Sequence, residues 1–275
     1  MKIETTLRTD IGRKRNTNED FGITLNFDYG ELRSDGTPSK IYILAVADGM
    51  GGHLGGEKAS EVTIDAISMY LLKFLVRLKQ NKRLVDRIED ELRIGIDYAN
   101  RRVRHSSKMD SALEGMGSTI TACIILEDKA IIGNVGDSRA YLLRNGEIAR
   151  ITKDHSLVQS LVDNHEIGPE EAFEHPQRNI ITRAIGIDER VEVDIFNLHL
   201  NAGDMIMLCS DGLHDMLRDK EIRDCLVDSD SLDEAAKILV DKANEKGGED
   251  NITVVLARTG RLSDSTRRNG KQWIC

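Results

Sequence analysis

A layered α+β domain, two antiparallel sheets packed together with helices on their outer faces, is the fold predicted by this 275-residue chain. Three observations predict it. Short apolar runs bounded by turn residues recur in both halves of the chain, two long stretches between them switch to helical spacing, and the runs that follow form a meander joined by tight turns.

In chain order, residues 3–8, 21–27 and 41–47 read as strands, with 29–40 a polar turn between the last two. The period then changes. Ala59, Val62, Ala66, Ile67, Tyr70, Leu71, Phe74 and Leu78 recur at intervals of three and four, the stripe of one amphipathic helix, and Leu84, Ile88, Leu92, Ile96, Ala99 and Val103 mark a second. The meander runs through 119–126, 129–135, 138–144 and 147–152, turning at Glu127-Asp128 and at Asn145-Gly146. Asn-Gly between apolar strands is a strong hairpin signal, because both residues tolerate the positive φ that a tight hairpin turn needs. From 154 to 186 the pattern weakens around Pro169, Pro176 and a short helical stretch at 156–162, which predicts a flap beside the core. Strands at 191–200 and 205–209, a helix carried by Leu232, Ala235, Ala236, Leu239, Val240 and Ala243, and a last strand at 252–257 complete one domain over 1–259. Residues 260–275 form a polar tail expected to be mobile.

At 40% hydrophobic content the chain can bury a core suited to one large domain. A net charge of −9 weighs against nucleic acid or an anionic membrane as partner, since neither would be attracted. Cys123, Cys209, Cys225 and Cys275 show no Cys-x-x-Cys spacing and read as reduced thiols, all but the last in the core. Residues 1–8 lack a signal-peptide stretch and no apolar run is long enough for a bilayer, so a soluble, cytoplasmic and monomeric protein is expected.

Chemistry gathers at four acids: Glu19 in Asn18-Glu19-Asp20, Asp48 in Ala47-Asp48-Gly49-Met50, Asp211 in Ser210-Asp211-Gly212, and Asp250 in Glu249-Asp250-Asn251. Taken singly, Asp-Gly and Asp-Asn are turn dipeptides. Turns do not explain why three apolar strands all carry acids at their ends against like-charge repulsion, and a hard cation would remove that repulsion. Several such tips converging would make a multi-metal site suited to phosphoester hydrolysis. The glycines from Gly49 to Gly56 do not make a P-loop, which needs Gly-Lys before Ser or Thr, whereas Glu57 follows Gly56 here. They fit better as space cleared around metals.

Read in order, seven segments resemble the metal-dependent Ser/Thr protein phosphatase family, the PP2C-like or PPM group, in its bacterial type, over residues 9–258. They are Gly12-x-x-Arg15-x-x-Asn18-Glu19-Asp20, Val46-Ala47-Asp48-Gly49-Met50-Gly51-Gly52-His53, Gly115-Met116-Gly117-Ser118-Thr119, Gly136-Asp137-Ser138-Arg139, Thr152-Lys153-Asp154-His155-Ser156, Cys209-Ser210-Asp211-Gly212-Leu213, and Gly248-Glu249-Asp250-Asn251-Ile252-Thr253-Val254.

The resemblance implies a four-layer α/β/β/α sandwich and hydrolysis of phosphoserine and phosphothreonine on proteins by a metal-activated water, without a covalent phosphoenzyme. Asp48 would bridge two Mn²⁺ or Mg²⁺ ions, with Glu19 and the Gly49 carbonyl on one and Asp211 and Asp250 on the other. Arg15 would clamp the phosphate, since a guanidinium fork pairs with two phosphoryl oxygens. A third ion would take Asp137, Asp211 and the Asn179 carbonyl; equally, Asp137 closes a turn and pairs with Arg139. One departure concerns the leaving group, because Met50 stands where eukaryotic members carry a histidine and cannot donate a proton. His53 then either serves as the acid or is idle while metal-bound water does the job. Two other function classes remain, a pseudophosphatase, against which the full ligand set stands, and a phosphoesterase for small molecules or nucleotides, which a comparison of phosphopeptide with nucleotide turnover would separate. The partners implied are phosphorylated proteins made by a Ser/Thr kinase.

Overall fold

The computed structural model describes residues 2–32, 38–51 and 55–260. The chain opens with strands β1 (Ile3–Asp10), β2 (Asp20–Leu32) and β3 (Pro38–Met50), then helices α1 (Gly55–Gln80) and α2 (Ile88–Met109). Strands β4 (Gly117–Ser118), β5 (Ile120–Leu126), β6 (Lys129–Val135), β7 (Arg139–Arg144) and β8 (Glu147–Arg150) follow, then helices α3 (Leu157–Asp163) and α4 (Pro169–Glu174). Strands β9 (Asp194–His199) and β10 (Met205–Cys209), helices α5 (Asp211–His214), α6 (Asp219–Val227) and α7 (Leu232–Glu245), and strand β11 (Ile252–Thr259) close it.

One sheet runs β1-β11-β10-β7-β8 and the other β2-β3-β5-β6-β9, with β4 paired to β3 off that path. The parity of β3 displays the layering. Its odd residues Ile41, Ile43, Ala45 and Ala47 pack into a core with α1 and α2, while Tyr42, Leu44 and Val46 point the other way, into the space shared with Leu142, Leu208 and Val255 of the opposite sheet. The far face of that sheet, through Tyr141, Leu143, Met205 and Met207, packs against Leu213, Leu226 and Leu239 of α5–α7. The result is the expected four-layer sandwich, α/β/β/α.

The same parity positions the chemistry. Asp48 continues the even series of β3 and so faces the space between the sheets at its rim, and Asp20 is its cross-strand partner in the β2–β3 register. Close approach of the sheets beneath them depends on Gly22, where a Cβ would come 2.7 Å from Leu7 Cδ1.

Several boundaries differ from expectation. The turn at 29–40 is shorter, because β2 extends to Leu32 and β3 begins at Pro38. Residues Lys82–Arg87 form a 3₁₀ turn, started by the Asn81 side chain accepting the Arg83 N–H, and the α-helix begins only at Ile88. The strand expected over 191–200 is confined to Asp194–His199. Within the flap Pro169 opens α4 rather than breaking a helix, being at the first turn where its missing N–H costs nothing. Helices α5 and α6 have no counterpart in the apolar pattern, since α6 buries only Ile222, Cys225 and Leu226 and is held at its start by the Glu221 carboxylate accepting the Arg218 N–H at 3.0 Å. Cys123, Cys209 and Cys225 are buried and unpaired, while Cys275 and residues 261–275 of the tail lie outside the described residues.

Candidate active site

Each acid is placed by backbone that polar side chains tie down. The Asp48 N–H donates to Thr119 Oγ1 at 2.9 Å, and its carbonyl accepts from the Thr119 N–H at 2.8 Å and the Ser118 hydroxyl at 3.0 Å. Glu19 sits on a loop fastened by Asn251, whose Oδ1 accepts the Glu19 N–H at 2.8 Å and whose Nδ2 donates to the Ile11 and Thr17 carbonyls, both at 2.9 Å. Asn251 adjoins Asp250, so one amide aligns the first acidic loop with the last. Ser210, just before Asp211, donates to Asp20 Oδ2 at 2.7 Å and accepts the Thr253 N–H at 3.0 Å.

Glycine lets these pieces touch. A Cβ on Gly49 would lie 1.9 Å from the Gly56 carbonyl oxygen, and one on Gly56 would lie 2.4 Å from Glu19 Oε2. The end of β3, the start of α1 and the Glu19 carboxylate therefore share one point of contact.

Asp20, Asp48, Asp137 and Asp211 crowd together, and the crowding registers in their protonation. Burial, followed by the charges of Asp211 and Asp20, pushes the Asp48 carboxyl well above the ordinary range, and it hydrogen-bonds Asp211. Burial with Asp211 does the same to Asp137. Asp20 is pushed up to about 8, chiefly by burial and despite its hydrogen bonds with Ser210 and Thr253. Asp211 rises to about 6 through burial, then the charges of Asp215 and Asp250. One oxygen of each of Asp20, Asp137 and Asp211 is buried without a hydrogen-bond partner. Orphaned buried carboxylate oxygens are costly, and a divalent cation is the partner that would satisfy several of them together.

Arg15 Nη2 donates to Asp250 Oδ2 at 2.6 Å, and its guanidinium pKa is raised by that bond, against desolvation, with help from the charges of Asp250, Glu19 and Asp211. Of the four acids singled out from the sequence, Asp48 thus meets Asp211 and Asp250 meets Arg15, which also feels the charge of Glu19. Among the described residues no three His, Cys, Asp or Glu side chains already form a closed cage. Arg139 puts its fork on Asp154, with Nε at 3.0 Å and Nη2 at 2.6 Å, rather than on Asp137. His53 lies outside the described residues.

Beside Asp137 and Asp211 a cavity of about 570 Å³ opens under the flap, and Asn179 lines it with them. Two arginines hold the flap over it. Arg178 donates to Asp215 at 3.1 Å and Glu249 at 3.2 Å, while Arg218, at the start of α6, pairs with Glu170 and lies 4.4 Å from the Phe173 ring centroid. At the flap's root, the His155 N–H donates to the Gly136 carbonyl and the Gly136 N–H to His155 Nδ1, both at 3.0 Å, which anchors the loop carrying Asp137. Burial holds the His155 imidazole below its usual pKa, consistent with a neutral ring accepting at Nδ1. Asp20, His155, Asn251 and the two flap arginines had no role assigned from sequence; Asp20, His155 and Asn251 lay inside quoted motifs, which was the available signal.

The family model described as protein phosphatase 2C matches residues 28–254. The chain belongs to the protein phosphatase 2C family. A serine/threonine phosphatase of Listeria welshimeri is 41% identical over 249 residues, covering 90% of this chain and 93% of that protein. The crystal structure of the Mycobacterium tuberculosis serine/threonine phosphatase PstP/Ppp superposes with a TM-score of 0.79 at 36% identity, covering 94% of this chain and 99% of that one. A PstP catalytic domain solved with two manganese ions matches with a TM-score of 0.75 at 35% identity, covering 93% of this chain and 97% of its own. As a bacterial-type protein phosphatase 2C domain, the chain carries its acids at the rim of the inter-sheet space, and Met50 at the end of β3 brings no proton donor to that rim.

Proposed function

We infer that this chain is a Mn²⁺- or Mg²⁺-dependent phosphatase that removes phosphate from phosphoserine and phosphothreonine on proteins, opposing a Ser/Thr kinase as a cytoplasmic monomer. The observation that carries the reading is the set of buried, mutually repelling carboxylates with orphaned oxygens at the rim of the sandwich. Support for the setting comes from the unpaired thiols and from the lack, among the described residues, of a helix long and apolar enough to cross a membrane.

The residues fit the ions as follows. Asp48 would bridge, Glu19 and the Gly49 carbonyl would complete one position, Asp211 and Asp250 the other, and Asp137, Asp211 and the Asn179 carbonyl would serve a third. Bound there, the ions supply a water nucleophile at neutral pH and offset charge on the phosphoryl oxygens. Arg15, which donates to Asp250 here, would orient the phosphate, since its guanidinium fork can pair with two phosphoryl oxygens. Arg15→Ala should therefore raise KM for phosphopeptide by roughly tenfold or more, the worth of a charged hydrogen bond of about 1.5–3 kcal/mol, with a smaller change in kcat. Steady-state kinetics on a phosphothreonine peptide measure it, and an unchanged KM removes the clamp.

Metal dependence has a test independent of turnover. Asp20 and Asp211 have folded pKa values raised above the ordinary carboxylate range, to about 8 and about 6, so folding without metal takes up protons. Their contribution to stability is whole below about pH 4 and is lost as pH rises through those values. Chelator-treated protein should accordingly melt lower at pH 8 than at pH 5. A Mn²⁺ concentration a hundredfold over the Kd at pH 5 contributes about 2.7 kcal/mol there, or about 5–10 °C, and the same concentration should contribute more at pH 8, where the carboxylates are already ionised. Equal increments at both values, measured by thermal melting, would count against these carboxylates as the ion site.

A further inference from the structure

On the α2 side of the molecule, residues 189–193 and one face of α2 enclose a second concavity, a groove of about 590 Å³. Arg93, Asp97, Arg101 and Arg104 line it from the helix at intervals of four, four and three, which places them on one face, and Arg190 closes it from the opposite wall. The acids lining it are Asp97, Glu189 and Glu192. Two of those are engaged, Asp97 by Arg101 at 3.4 Å and Glu192 by Arg183 at 3.3 Å. Arg93 donates through Nη1 to the Val193 carbonyl at 2.5 Å, leaving its remaining N–H groups available. The Arg104 and Arg190 side chains make no hydrogen bond or ion pair among the described residues, so Glu189 alone faces an excess of cationic donors. Such an excess is out of keeping with a chain of net charge −9.

The groove is joined to the catalytic rim by a fixed strip of backbone. Ser118, whose hydroxyl donates to the Asp48 carbonyl, exchanges backbone hydrogen bonds with Ile185 at 2.8 and 3.0 Å. Next, Asn100 on α2 accepts the Gly186 N–H at 2.7 Å and donates to the Asp188 carbonyl at 3.1 Å. Between these ties Ile187 is 49% exposed, and it converges with Met50 over Gly117, where a Cβ would come within 3.0 Å of both side chains. A polypeptide leaving the rim across Met50 and Ile187 is led into the arginines.

We propose that this groove docks an Asp/Glu-rich segment of the protein substrate, away from the phosphorylated residue itself; the proposal rests on the phosphoprotein phosphatase reading above. Acidic side chains match the unpaired guanidinium groups, and Ile187 offers an apolar step between the two sites. Docking of this kind lowers KM without altering the chemical step.

The test has two arms on the full chain, comparing wild type with an Arg104→Glu/Arg190→Glu variant whose melting temperature is checked. First, a fluorescent Asp/Glu-rich peptide without phosphate is titrated by anisotropy, with a Lys-rich peptide and a single-stranded oligonucleotide as comparators. Second, Mn²⁺-dependent turnover is measured on phosphothreonine peptides with and without a trailing acidic run, and on an aryl phosphate. Wild type should bind the acidic peptide in preference to both comparators, and the variant should lose about five- to tenfold in affinity, surface ion pairs being individually weak. The acidic run should lower KM by the same factor in wild type only, with aryl phosphate kinetics unchanged. Turnover of phosphopeptides without acidic-peptide binding, or binding that the variant retains, overturns the groove and leaves the phosphatase reading intact. A preference for the oligonucleotide overturns it too. Aryl phosphate turnover with no phosphopeptide turnover overturns the protein-substrate reading and the groove's role with it.

Discussion

Asp48→Asn should lower kcat by about a thousandfold or more while leaving the metal-free protein at least as stable as wild type. The first half follows from the role proposed for Asp48: if this carboxylate is shared by two ions, losing its charge would remove roughly 4 kcal/mol of transition-state stabilisation, at about 1.4 kcal/mol for each factor of ten. The second half follows from the electrostatics of the site without ions. Burial and the neighbouring charges of Asp211, Asp20 and Asp137 already oppose ionisation of Asp48, so a neutral amide of the same shape relieves repulsion, and it can donate to Asp211 as the protonated acid does. The two halves separate function from folding. Turnover of an aryl phosphate with Mn²⁺, beside a melt in chelator at pH 8, measures both. A variant that keeps near-normal rates removes Asp48 from the chemistry. One that is inactive and also melts far below wild type in chelator shows that Asp48 holds the fold instead.

That separation bears on why the site was legible as far as it was. Asp48, Asp211 and Asp250 adjoin apolar strands beside glycine or asparagine, and each clue is local, so reading along the chain found them. Asp20 escaped notice because its importance is a matter of register: it lies opposite Asp48 on the neighbouring strand and faces the space between the sheets. Nothing in Asn18-Glu19-Asp20 shows that the third residue is buried and the second is partly exposed. Of the two readings of Asp137, the structure does not show the pairing with Arg139, which reaches across to Asp154, and Asp137 Oδ1 has no hydrogen-bond partner. Among the elements, β3 and β5 were plain because both faces are buried and the runs are long. Helices α4 to α6 were not, because short helices at the edge of the core bury too few side chains to show a period. Their ends are set by Pro169 and by the pairing of Arg218 with Glu221, which are interactions of individual residues rather than of a pattern.

Gly49→Ala should cost about 3 kcal/mol or more and lower the melting temperature by about 6–12 °C, although it adds a single methyl group. The reason is what the methyl meets. Its nearest neighbours are the Gly56 carbonyl oxygen at 1.9 Å and the Glu19 carbonyl oxygen at 2.9 Å, both backbone atoms that no rotamer change can move aside. The Gly49 N–H meanwhile donates to that Glu19 carbonyl at 3.1 Å, so moving β3 away from the loop breaks the bond that aligns them. Strand and helix must separate, carrying Glu19 and Asp48 apart, and metal-dependent turnover should fall with stability. Gly168→Ala is the matched control. It is the N-cap of α4 in open space, with nothing within 4 Å of a Cβ, so an alanine there should cost only about 1 kcal/mol or less, the difference between glycine and alanine as a helix cap. Thermal melts of the two variants with and without Mn²⁺ decide the matter: if Gly49→Ala melts with Gly168→Ala, the contact between β3 and α1 is not what holds the acidic rim together.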